Sequence, residues 1–103
     1  MRPTLPPKKL PIDMMRIETA KGSWGIFVRH IGETQGGRNI LIKIILEQGI
    51  DDEHFRMRNL EMVVNSRDAR DSAHAADIAS RISQWVESTE GDGFIEMTDL
   101  SRS

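Results

Sequence analysis

Hydrophobic and polar residues alternate with a period of two through the first two thirds of the chain, then change to a helical period. Met15, Ile17 and Thr19 alternate with Arg16 and Glu18, and Gly22 in "KGS" supplies a turn. In "WGIFVRHI", Trp24, Ile26, Val28 and His30 fall on one side and Phe27, Arg29 and Ile31 on the other. Gly36-Gly37 offers the permissive backbone of a hairpin loop. "NILIKIILE" follows with one fully apolar face, Ile40, Ile42, Ile44 and Leu46, and one mixed face, Leu41, Lys43, Ile45 and Glu47. A β-branched segment with apolar residues on both sides is expected at the centre of a sheet.

The stretch "HFRMRNLEMVVNS" breaks this simplicity. Its apolar residues are Phe55 and Met57, then Leu60, Met62 and Val64, so the alternation changes phase once. A β-bulge near Arg58-Asn59 accommodates that change, because two residues of one strand then oppose one of the next. On this reading Phe55 and Met57 face the core, and Arg56 and Arg58 point away from it. A one-turn helix at "DDEHF" before a shorter strand is the competing reading.

In "SAHAADIASRISQWVEST", Ala75, Ile78, Ala79, Ile82, Trp85 and Val86 form a single helical stripe. Asp68 and Asp71 precede it, where acids suit the helix dipole, and Gly91 is placed to stop it. "FIEMTDL" alternates again, as an edge strand or tail. The fold expected is α+β: an antiparallel four- to five-stranded meander with one amphipathic C-terminal helix on one face. A helix of about 25 Å, at 1.5 Å per residue, covers one side of such a sheet and leaves the other open.

All four prolines lie within "MRPTLPPKKLP", and proline disrupts both ladders and helices. Residues 1–12 are therefore expected as an extended arm, 13–90 as a single domain and 91–103 as a tail or edge strand. Pro3-Thr-Leu-Pro6 matches a PxxP ligand, a motif too short to carry weight. The net charge is −2, but residues 1–50 hold eight Lys/Arg against four Asp/Glu, and residues 51–103 six against twelve. The simplest account is one domain whose halves complement each other; the sharper one is a basic working surface in the first half. The chain has no cysteine, which excludes disulfides and thiolate chemistry. No hydrophobic run approaches the roughly 20 residues of a membrane span, and no leader pattern opens the sequence. A cytoplasmic protein without membrane attachment is the expectation.

The open face defines the candidate site: Phe27, Arg29, Ile31, Leu41, Lys43, Ile45, Arg56 and Arg58. Apolar residues ringed by cations suit burial against a second copy of the chain or another protein. Single-stranded nucleic acid is the alternative, with aromatic stacking and phosphate neutralisation on the same face, although Phe27 is its one aromatic. "DDEH" contains ligand-type side chains without the spacing of a calcium loop, so a solvated acidic turn is expected and no metal. No nucleophile motif, P-loop or dinucleotide fingerprint occurs; Gly36-Gly37-Arg38 is better explained as a hairpin than as a phosphate cradle. The sequence thus points to a non-enzymatic, cofactor-free interaction domain, homo-oligomeric through its open face.

Overall fold

The protein, represented by a computed structural model, is described over residues 10–34 and 36–97. Five strands form one sheet in the order β1-β2-β3-β4-β5: Arg16–Thr19, Gly22–Glu33, Asn39–Gly49, Phe55–Asn65 and Gly93–Met97. Helix α1, Ser66–Arg70, and helix α2, Ala75–Ser88, lie between β4 and β5, joined by a 3₁₀ turn at Ser72–His74. The first four strands pair antiparallel in sequence order. β5 joins β4 in parallel, because the intervening helices carry the chain back to the same end of the sheet. The α+β sheet-and-helix architecture is as expected; the parallel last strand is what a simple meander lacks.

β3 is the central strand of that core. Ile40, Ile42, Ile44 and Leu46 are all buried, and they pack with Leu60, Met62 and Val64 of β4 beneath the stripe of α2. Every residue of that stripe, Ala75, Ile78, Ala79, Ile82, Trp85 and Val86, is buried. The Asn65 side chain caps α1 by accepting from the N–H groups of Arg67 and Asp68. Past α2, Gly91 takes a positive φ of 75° as the chain turns into β5.

The end of the proline-rich segment belongs to the core. Leu10 and Ile12 are buried, and the N–H groups of Asp13 and Met15 donate to the carbonyls of Leu10 and Ile12. Met14 and Met15 then exchange backbone bonds with Ile26. Among the described residues packing therefore starts at Leu10 despite the neighbouring Pro11: two large aliphatic side chains join the core cluster while the backbone that follows bonds to β2. The rest of the arm, with its PxxP match, lies outside the described residues, as do residues 98–103.

The phase change is in a different strand from the one expected. β3 and β4 pair without a slip from Gly49↔Phe55 to Asn39↔Asn65. The slip falls in β2, between Val28↔Ile44 and His30↔Lys43, and Arg29 is the extra residue. Just before it, the Asp13 carboxylate accepts the Val28 N–H at 2.9 Å, in place of a strand partner. Two consequences follow from side-chain alternation. Ile31 pairs with Ile42 and packs against the covered core rather than on the open face. Arg58 shares the helix side with Leu60, Met62 and Val64, whereas Phe55 and Met57 are exposed at 58% and 51%.

Candidate interaction surface

The face away from α2 can be built row by row from the register. Arg16, Gly25, Glu47 and Met57 form one row across β1 to β4. Phe27, Ile45 and Asn59 form the next. His30, Lys43, Glu61 and Phe94 follow, then Gly32, Leu41, Val63 and Glu96. Phe27, Leu41, Ile45 and Val63 are half-buried, and Phe94 is 53% exposed. A Cβ built on Gly25 would lie 3.0 Å from the Phe27 ring, so the ring lies across the glycine and fills the place of its missing side chain.

Charge on this face is mixed. Lys43 Nζ and Glu61 Oε2 stand 4.0 Å apart, each side chain about half exposed. Arg29, on the bulge, borders an open depression of about 760 Å³ together with His30, Lys43 and Ile45, and with Glu61 and Asp92 as its acids. Cations and carboxylates share the depression, so it presents no continuous track for a phosphate chain.

Of the residues expected here, Phe27, Arg29, Leu41, Lys43 and Ile45 come together. Ile31, Arg56 and Arg58 are on the opposite side. Phe94, Val63 and Met57 take their place, and continuous alternation through β4 is the signal that places Val63 and Met57 there. Phe94 has no such signal, since only the crossover puts β5 beside β4.

Arg58 has a structural task. Its guanidinium lies 4.3 Å from the centre of the Trp85 ring and 5.8 Å from that of Trp24. Nε donates to the Gly91 carbonyl at 2.7 Å and Nη2 to that of Thr89 at 2.6 Å; Nη1 donates to that of Val86 at 3.3 Å. The charge is buried because two indole faces and three carbonyls at the end of α2 replace its water. Trp24 and Trp85 are core residues, as their positions predicted.

Beside this clasp, Glu90 meets Lys21 at 2.7 Å. The Lys21 ammonium, by hydrogen bond and by charge, holds the Glu90 carboxyl below the usual carboxylate range, with smaller contributions from Arg58 and Arg56. In the acidic turn, Asp51 Oδ1 accepts the N–H groups of Glu53 and His54, both at 2.8 Å, and contacts His54 Nδ1 at 2.8 Å. These ligand-type residues shape their own turn. His74 lies 3.6–3.8 Å from Asp68, Asp71 and Asp77 and ties the 3₁₀ turn to the two helices. Among the described residues no group of three or more His, Asp or Glu side chains is arranged to hold a metal ion, and no helix is long and apolar enough to cross a membrane. No protein family, characterised protein or solved structure matches the chain.

Proposed function

We propose that this chain is a non-enzymatic interaction domain that pairs with a second copy of itself through the open sheet face. The observation that carries this reading is the surface that the described residues leave open: Phe27 and Ile45 in one row and Leu41 and Val63 in the next but one, across the row of Lys43 and Glu61, with exposed Phe94 and Met57 beside them. Burying an aliphatic side chain is worth about 1.5–3 kcal/mol, so a few residues from each copy offset the cost of association. Two-fold pairing of one patch with itself is the commonest oligomer geometry. The charge pattern suits it, since Arg16, Arg29 and Lys43 share the face with Glu47, Glu61 and Glu96. A surface of both signs complements its own copy better than it complements a polyanion. A cytoplasmic setting goes with this reading, as nothing in the pairing calls for an oxidising compartment.

Light scattering on the wild type and on Ile45→Glu tests it. The wild type is expected at the mass of a dimer or larger assembly, and Ile45→Glu at that of a folded monomer. A monomeric wild type at high micromolar concentration ends the reading. So does a variant that stays folded and dimeric, which would put the interface elsewhere. A parallel titration with single-stranded DNA and RNA at low salt is expected to show no binding.

A further inference from the structure

β4 outruns its neighbour. β5 pairs with Leu60–Val64, whereas β4 begins at Phe55. Two hydrogen bonds set the direction of the backbone groups in the overhang. The His54 carbonyl accepts from Ile50 N–H on the β3 side. The Asn59 N–H donates to Asp92 Oδ1 at 2.9 Å on the other. By alternation, the N–H and C=O groups of Phe55 and Met57 point outward, and among the described residues no strand lies beyond them. Such an edge is a template for an added strand.

A groove of about 430 Å³ lies on the helix side of this end of the sheet, between β4 and the turn after α2, with Lys21, Trp24, Arg56, Met57, Glu90 and Gly91 among its walls. Lys21 and Arg56 are exposed cations on the helix side, and Phe55 and Met57 are exposed apolar residues on the open side. Glu90, whose side chain is 90% exposed, lays a carboxylate on Lys21.

We propose that this edge receives an extended peptide segment in which acidic and apolar residues alternate. Its backbone would complete the ladder at Phe55 and Met57, the usual source of affinity in strand addition. Its apolar side chains would lie beside those two residues. Its acid would meet Arg56 and Lys21 in the place Glu90 now takes. The acids at the two ends of the overhang, Asp51 to Glu53 and Asp92, confine that acid to the register opposite Arg56. A second copy fits poorly, because two-fold antiparallel pairing through Phe55 and Met57 sets Arg56 directly against its own counterpart.

The probe is a short capped peptide alternating valine with glutamate, compared with the same peptide carrying lysine for glutamate. NMR on the full chain reads the backbone amides. The acidic peptide is expected to bind about tenfold or more tighter, the scale of reversing partly exposed ion pairs, and to shift and protect the Phe55 and Met57 amides. Met57→Pro should abolish binding with an unchanged melting curve, since that N–H is outside the β3 ladder. Should Met57→Pro fail to fold, the acidic peptide N-methylated at alternate residues must lose binding to the wild type. Equal binding of the lysine peptide, retained binding of the N-methylated one, or unshifted Phe55 and Met57 amides overturns the proposal. Concentration-dependent shifts of those amides in Ile45→Glu alone, where the open-face pairing is removed, would assign the edge to a second copy and overturn it too. Binding lost in Ile45→Glu would move the peptide to the open face, with the same result.

Discussion

Arg58 occupies a position that its side chain type argues against. It stands in line with Leu60, Met62 and Val64, and it is tolerated there because Trp24, Trp85 and three carbonyls surround the guanidinium. Arg58→Ala removes the donors and leaves the Gly91, Val86 and Thr89 carbonyls to find others. A loss of about 2–4 kcal/mol in denaturant unfolding is expected. Arg58→Lys should recover little of it, since an ammonium cannot stack on both indoles while reaching those carbonyls. Asp51 gives a second expectation at this scale. The Glu53 N–H, the His54 ring and the His54 N–H depress its carboxyl. Its contribution to the turn is thus present above the unfolded aspartate value and is lost as pH falls through the lower folded value. A carboxyl-carbon NMR titration should place its midpoint below that of an ordinary aspartate, and His54→Ala should raise it.

Among the elements, β4 makes the clearest expectation. With no bulge between it and β3, the even-numbered amides are inward and the odd-numbered ones outward along residues 55–58. Hydrogen exchange should find Arg56 and Arg58 slow and Phe55 and Met57 fast; a break in that alternation at Arg58 would restore the bulge there. β5 depends on α2 through one close approach. A Cβ on Gly93 would lie 2.8 Å from Trp85 Cζ2, and Trp85 is held in turn by Arg58. Gly93→Ala should cost about 1–3 kcal/mol in thermal or denaturant melts, as overpacking does. Ala79→Trp should do at least as much, because Ala79 is buried against the sheet within the stripe.

At the scale of the whole molecule, the described residues form a sheet with helix on one side only, and its two sides differ in how much of them the sequence shows. α2 is tied to the β1 end of the sheet: Ser83 Oγ donates to the Glu18 carbonyl, and Ala20 N–H to Glu87 Oε2. β5 extends the opposite end of the sheet, paired in parallel along Leu60–Val64 of β4. A chain ended after Thr89 loses Ile95 and Met97 from the core and the Gly91 carbonyl from Arg58. Circular dichroism on heating should show a loss of cooperative melting. The expected members of the open face on β3 and the first part of β2 were legible, because Phe27, Leu41, Lys43 and Ile45 obey simple alternation. Ile31 was not, since the slip at Arg29 shows only in the pairing of β2 with β3, beside the Asp13 bond to Val28, a tertiary contact. Phe94 was not, since a parallel partner is chosen by the crossover.

By itself the sequence determined the strands, the helix stripe and the α+β class, because periods of two and 3.6 are local consequences of backbone geometry. It also determined that one helix could cover only one side of the sheet. Where the alternation slips was a decision of the tertiary structure. In β4, Phe55 and Met57 mimic core residues and Arg58 mimics a surface one. Pattern alone therefore put the bulge there, and only the pairing with β3 and the indoles around Arg58 reversed the assignment. Leu10 and Ile12 were settled the same way: adjacent prolines argue for an extended arm, and the backbone bonds of Met14 and Met15 to Ile26, which no local signal describes, hold the segment against β2 with both residues in the core.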